Sequence, residues 1–230
     1  MNRDLIVIPS AETQKIIIAT DCSGACGPKD LDVVAVPTVL TSYYTARVAF
    51  MEIMSVRATP IAYTISNFIK GGYDDIHSGI RQLTDELNLH PLANITSSET
   101  NFDMLQSAVG ISVIGTMRGE IDDNAEGLSL AIVGLPLVGD EMLQNLDDVL
   151  QMNTFTHLLC DIRVQKLLPV GSKGIANKIK KVFGIDTTST EIDLKKSAGP
   201  SSCLVIGYSK NDENYFADKL GTLFHPIETL

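Results

Sequence analysis

Short β-branched runs alternate with helix-period stretches along this 230-residue chain, a grammar that layered folds of sheet and helix accommodate. Residues 5–8, 16–20 and 31–36 are bounded by turn residues and predict strands. From 38 to 56 the period changes. Val39, Tyr43, Ala46, Phe50, Ile53 and Met54 fall at helical spacing, with Thr38 or Thr41 as N-cap and Pro60 as the stop. Residues 61–66 predict a strand. After Gly71-Gly72, the residues Ile76, Ile80, Leu83 and Leu87 mark one face of a second helix. Residues 93–96 and 108–117 predict two more strands.

Near 118–127 the chain turns polar and acidic, which places a boundary between a lobe of residues 1–118 and one of residues 119–230. The second lobe repeats the mixed pattern. Strands are expected at 128–135, 158–162 and 202–208, and helices at 140–150, from Ser172 to about 182 before Gly184, and at 212–220. The fold class is therefore α+β, or mixed α/β, in two lobes.

With 44% hydrophobic residues the chain has enough apolar material for a sizeable core, which argues against disorder. A formal net charge of −10 leaves no dense lysine–arginine face, which excludes a phosphate backbone as the expected partner. An acidic chain that handles phosphates needs a cation between itself and its ligand. Cys22 and Cys26 lack a second close pair or a neighbouring His, so the spacing does not make a zinc site. Only four apolar residues follow Asp4 before Pro9, and no apolar run approaches the ~20 residues of a membrane span. A cytoplasmic protein with reduced thiols is expected, without nucleic-acid or membrane partners.

Three segments carry the chemistry. The stretch from Ile16 to Asp30 ends a strand in Asp21 and continues into a loop holding Ser23, Gly24, Gly27 and Lys29. Glycines let backbone N–H groups approach an anion, and an acid at the strand end could hold Mg²⁺ against it; a Gly-Pro turn with a solvated Asp reads equally well. No P-loop spacing occurs. The 38–56 helix places Glu52 between Met51 and Ile53, where it either snorkels to the surface or meets a cation. Arg47, five residues earlier, is poorly placed to pair with it. Ser97-Ser98-Glu99-Thr100-Asn101 is a polar loop between two predicted strands.

Taken together, these segments resemble the superfamily of aminoimidazole ribonucleotide synthetase, thiamine-monophosphate kinase, selenophosphate synthetase and a hydrogenase maturation protein. That superfamily shows an Asp ending a strand, then a helix whose Asp precedes Met-Gly-Ala-x-Pro, then a Gly-Gly-Asp/Glu-Thr loop. Here the counterparts are Asp21, then Glu52 before Val56-Arg57-Ala58-Thr59-Pro60, then Ser97-Ser98-Glu99-Thr100, over roughly residues 14–118. Arg57 stands where the family usually has Gly, and Ser97-Ser98 replaces Gly-Gly. The stretch Asp21-x-Ser23-Gly24-x-x-Gly27-Pro28-Lys29-x-x-Asp32, followed by Thr45-Ala46-Arg47-Val48-Ala49-x-Met51-Glu52, looks closest to the α-ribazole kinase branch.

The resemblance implies an N-terminal PurM-like lobe with a mixed sheet and flanking helices, followed by a shortened α/β C-terminal lobe. It implies ATP and Mg²⁺ as cofactors, with Asp21, Glu52 and Glu99 converging on the metal. It further implies Ser23, Gly24, Gly27, Thr100 and Asn101 at the nucleotide, and Lys29 or Arg47 offsetting transition-state charge. The expected reaction is phosphorylation of the 5′-hydroxyl of α-ribazole, a nucleoside-like small molecule. Other readings are ATP-driven amide or carbonyl activation, and nucleotide binding without catalysis. A homodimer is implied as well. In the second lobe, Gly134-Leu135-Pro136-Leu137-Val138-Gly139 resembles the passage opening the family's C-terminal domain. Val170-Gly171-Ser172-Lys173-Gly174 sits where relatives carry an acidic motif, without its acids. Ser172 reads either as an N-cap or, with Lys173, as an anion site.

Overall fold

A computed structural model of the chain describes residues 3–10 and 13–230; Met1, Asn2, Ala11 and Glu12 lie outside the described residues. The chain divides into two compact units, Asp4–Gly119 and a second in which Arg3 joins Glu120–Leu230.

The first unit runs β1 (Ile6–Pro9), β2 (Gln14–Gly24), β3 (Cys26–Gly27), β4 (Val34–Ala35), α1 (Thr38–Ser55), β5 (Thr59–Asn67), α2 (Tyr73–Glu86), β6 (Ala93–Ser98) and β7 (Ala108–Arg118). Its sheet has the order β1-β2-β7-β5-β6, antiparallel except for the parallel β5–β6 pair. Side-chain alternation sorts the two faces: Ile17, Ala19, Val109, Ile111 and Val113 are buried, while Thr20 and Cys22 on the opposite face are exposed. α1 packs on β2, β7 and β5 and also on α2.

Because α1 lies between a sheet and a second helix, every residue from Ala49 to Ser55 is buried. Its buried hydroxyls bond back to backbone carbonyls: Ser42 Oγ to Val39 O at 3.0 Å, Thr45 Oγ1 to Thr41 O at 2.8 Å and Ser55 Oγ to Glu52 O at 2.8 Å. Two glycines permit the close packing. A Cβ on Gly79 of α2 would lie 2.2 Å from both Ser42 Oγ and Val39 O, and one on Gly115 of β7 would lie 2.7 Å from Ile53.

Pro37 occupies the N-cap of α1 without a side-chain bond, so neither Thr38 nor Thr41 caps it; the Thr41 hydroxyl donates instead to Cys26 O at 3.2 Å. The strand expected over 31–36 shrinks to Val34–Ala35. A turn in which Asp32 N donates to Lys29 O at 2.9 Å takes up the chain before it.

The second unit runs β8 (Ser129–Val133), α3 (Asp140–Gln144), α4 (Met152–Cys160), β9 (Val164–Pro169), α5 (Ile175–Phe183), β10 (Thr187–Thr188), β11 (Leu204–Tyr208), α6 (Glu213–Leu220) and β12 (Phe224–Thr229). Its antiparallel sheet has the order β10-β12-β8-β11-β9. Ile175, Ile179 and Val182 of α5 share one core with Leu130, Ile132, Leu168, Val205 and Ile227. A separate aromatic cluster joins Tyr208 to Phe216 and Phe224, at centroid distances of 5.3 and 5.8 Å.

Several expectations change here. The helix expected over 140–150 ends at Gln144, since Asn145 (φ −130°, ψ 50°) leaves the helical region. Residues 158–162 are not a strand. Met152, Phe155 and Leu158 are buried at spacing three, which makes the segment the end of α4 and its turn. Ser172 does not cap α5; Gly174 does, without a side-chain bond, whereas Gly184 ends the helix in a left-handed conformation as expected.

Candidate functional site

Along β2 the residues Ile17, Ala19, Asp21 and Ser23 share the face turned to α1. In the register Asp21 lies beside Ile111, which lies beside Ile65, and both neighbours are 1% exposed. The carboxyl of Asp21 thus sits, half-buried, at the edge of the hydrophobic layer. Burial pushes its pKa up to about 6; a bond from the Cys22 N–H opposes this, and the negative charge of Glu52 adds to the rise. Glu52 reaches the same field from α1, where it is 6% exposed among the apolar residues of the helix interior. Two acids more than thirty residues apart therefore act on one another.

Glu99 does not join them. It follows β6, three strand spacings from β2 through β7 and β5, or about 14 Å across a sheet. Its side chain is exposed and Oε1 accepts the Asn101 N–H at 3.0 Å, while its own N–H donates to Asn67 O at 2.9 Å. Among the described residues, no three or more His, Cys, Asp or Glu are grouped so as to hold a metal ion. The expected three-acid cluster is thus a pair, with the third acid on the rim. Thr100 beside it is half-buried and Asn101 is exposed.

The two expected cations are committed elsewhere. Lys29 Nζ donates to Met104 O at 2.7 Å and Gln106 O at 3.3 Å, so its charge closes a loop. Arg47 is 2% exposed inside α1, with its guanidinium carbon 5.8 Å from the Tyr44 ring centroid. Burial closes Arg47 to a phosphate, whereas the Lys29 ammonium is engaged by two carbonyls at an exposed position.

The two loop glycines also separate. A Cβ on Gly24 would meet nothing, which leaves that stretch of backbone approachable. A Cβ on Gly27 would lie 2.3 Å from Ser107 Oγ and 2.8 Å from Asp32 Oδ2, so packing alone demands glycine there. Ser23, also half-buried, shares the helix-facing side with Asp21.

Asp32, which closes the loop stretch of the resemblance but is given no role of its own by it, organises this end of the sheet. Its Oδ1 accepts the Ser107 N–H at 2.7 Å, and its Oδ2 accepts the Ser107 hydroxyl at 2.7 Å and the Lys29 N–H at 3.0 Å. Partial burial raises its pKa, but these donors outweigh that and hold it below the ordinary carboxylate value. Asp32 closes the turn that begins at Lys29, and its partner Ser107 lies 75 positions away.

Arg57 adopts a left-handed conformation at φ 62°, one that glycine adopts without steric cost. This is the position at which the resemblance expects glycine. Ser97 and Ser98, by contrast, lie in the extended strand β6, where serine is unstrained.

No family model matches the sequence, and no curated protein matches it either. Solved structures do share its fold. The chain is similar to AaThiL complexed with AMPPCP and TMP, with a TM-score of 0.64 and 11% identity, over 99% of this chain and 84% of that one. It is similar to thiamine-monophosphate kinase from Stenotrophomonas maltophilia, with a TM-score of 0.62 and 10% identity, over 98% and 88% of the two chains. HypE of E. coli, a hydrogenase maturation protein, gives a TM-score of 0.63 and 13% identity, over 92% and 79%. At such identities the likeness establishes the fold, which is the mixed α/β, PurM-like one.

Proposed function

We propose that this chain is an ATP-dependent, Mg²⁺-dependent phosphotransferase acting on an alcohol group of a small molecule. The observation that carries the reading is the Asp21–Glu52 pair. Burial and mutual repulsion raise the Asp21 pKa to about 6, a cost that a divalent cation against both acids would remove. The donor set suits Mg²⁺, which is commonly held by one or two carboxylates with substrate phosphates completing its shell. Asp21 and Glu52 would hold the ion. When bound, the ion would supply charge neutralisation at the transferring phosphoryl group. The open backbone at Gly24, with Ser23 beside it, offers the approach for phosphate oxygens.

The structural neighbours support the nucleotide part of this reading, since one was solved with AMPPCP and another, PurL of T. maritima, with ADP. PurL matches at a TM-score of 0.59 and 12% identity, with this chain covering 42% of it. The acceptor proposed first is the 5′-hydroxyl of α-ribazole, on the resemblance of the Asp21–Asp32 and Thr45–Glu52 stretches. Purified protein incubated with ATP, Mg²⁺ and α-ribazole should yield ADP and the phosphorylated nucleoside. Turnover of thiamine phosphate alone would reassign the acceptor. ADP and phosphate without a phosphorylated product would favour carbonyl activation, and ATP binding without turnover over a broad acceptor panel would leave a binding protein.

We further propose a cytoplasmic homodimer formed through the first unit's sheet. On the face away from α1, the register rows Ile6–Ile18–Ile114 and Thr20–Ser112–Thr64–Ile95 carry no charge, and Ile6 and Ile95 are 60% and 68% exposed. Among the described residues no helix is long and apolar enough to cross a membrane.

A further inference from the structure

The carboxylate of Asp32 ties the loop that leaves β2 to the residue that precedes β7. Ser107, which supplies two of its three donors, is 1% exposed, and the Ser107 carbonyl accepts the Ala25 N–H at 2.9 Å. The Ala25 carbonyl in turn accepts the N–H groups of Val33 and Val34 at 2.8 and 3.2 Å. Asp32, Ser107 and Ala25 therefore form one closed circuit of hydrogen bonds. Ala25 stands at φ 58°, a left-handed conformation that alanine keeps only where its partners hold it. It directly follows Gly24, which pairs with Ala108 in the last rung of the β2–β7 ladder and leaves its Cβ position open.

We infer that Asp32 is a positioning residue of the candidate site, fixing through Ser107 and Ala25 the direction in which the Gly24 backbone is presented to a phosphate. The inference rests on the phosphotransferase reading above. The chemistry explains why a carboxylate stands there. Three donors converge on two oxygens, and an ionised carboxyl accepts at both. In asparagine, whichever way the amide turned, its NH₂ would face a backbone N–H, that of Ser107 or that of Lys29. Gly27 makes room for the same group, since a Cβ there would lie 2.8 Å from Oδ2. One arrangement accounts for both the second glycine of the loop and its closing acid.

A residue that merely fastened the loop would leave nucleotide affinity alone, or would lower it whether or not Gly24 can be approached. The test therefore obstructs Gly24 separately. Gly24→Ala places a methyl group in open space and so disturbs no packing. Titration calorimetry gives the Kd for ATP at saturating Mg²⁺ in wild type, Asp32→Asn, Gly24→Ala and the double variant. Asp32→Asn should weaken ATP about tenfold in wild type and less than about twofold in the Gly24→Ala background, as coupled residues behave. Ser107→Ala removes only the hydroxyl bond and leaves the Ser107 N–H on Oδ1. It should weaken ATP about threefold, and it carries the test if Asp32→Asn does not fold. Without ligand, both variants should speed amide exchange at Ala25 and Val33 and leave that of Ile17 in β2 at the wild-type rate.

Faster exchange at Ala25 with no change in ATP affinity overturns the inference and leaves Asp32 a loop fastener, as does an equal effect of Asp32→Asn in both backgrounds. If neither Gly24→Ala nor Asp32→Asn alters ATP affinity while Asp21→Asn abolishes binding, the inference fails and the phosphotransferase reading survives on Asp21 and Glu52. Should the wild-type protein bind no ATP with Mg²⁺, both fall together.

Discussion

Replacing Asp21 with asparagine removes a charge that the fold holds at a disadvantage, and the size of the gain follows from its ionisation. The carboxyl titrates at about 6 in the folded chain against a reference of 3.8, a difference of about 2 pH units, or about 3 kcal/mol. The sign follows from the direction of the shift. A folded pKa above the unfolded one means that the native state binds the proton more readily. Wild type therefore carries the full penalty above pH 6 and loses it as pH falls from about 6 towards 3.8. Asp21→Asn, uncharged throughout, should be about 3 kcal/mol more stable than wild type at pH 8, about half that at pH 5, and equal to it near pH 3. For a chain of this length, the pH 8 gain corresponds to roughly 6–12 °C in melting temperature. Thermal melts and urea titrations at the three pH values measure it. Millimolar Mg²⁺ with ATP should raise the melting temperature of wild type and not of the variant. A variant no more stable than wild type at pH 8, or one whose advantage is the same at pH 8 and pH 5, refutes the account of Asp21 as a buried, repelled carboxylate.

Other substitutions test the packing and the backbone. Gly79→Ala drives a methyl group to 2.2 Å from Val39 O and should cost roughly 2–3 kcal/mol, read as a lower urea midpoint. Arg57→Gly relieves a left-handed residue and should raise stability by about 1 kcal/mol in the same titration; a loss would show that the arginine side chain outweighs its backbone cost. Arg3→Ala breaks a buried pair in the second unit, with Nε 2.7 Å from Asp123 Oδ1 and Nη1 3.0 Å from Leu167 O. It should cost roughly 3 kcal/mol and speed amide exchange in β9.

Local pattern carried most of the first unit. The β-branched run at 16–18 and the helical spacing from Val39 to Met54 each select one backbone geometry through side-chain sterics and burial, and α1 and β2 lie where they indicate. The misplaced elements are those whose local signal is contradicted by a distant partner. β9 went unread because Lys166 interrupts its apolar run, and that lysine is buried only because Asp122 accepts its ammonium at 2.6 Å. β12 went unread because Pro226 lies inside it. Residues 158–162 carry a strand-like local pattern, but Phe155 and Leu158 are buried on one face of α4, which extends to Cys160.

The chemistry divides along the same line. Each acid alone reads as well as a solvated residue, and it is the resemblance of the three segments, in their order, that picks out Asp21, Glu52 and Glu99. Which of them meet is a matter of sheet order and helix packing. Asp21 and Glu52 are brought together because α1 lies over the face of β2 that bears Asp21, whereas Glu99 stays apart because β6 is the far edge of the sheet. The same packing turns Lys29 and Arg47 from candidate phosphate partners into a loop clasp and an interior cation. It makes Gly27 a packing glycine, and it gives Asp32 and Asn67 partners that their own neighbours along the chain do not announce. Backbone and side-chain preferences act over a few residues and are written locally. Desolvation, charge coupling and hydrogen-bond commitment depend on which atoms lie within a few ångströms, and only the folded chain sets that.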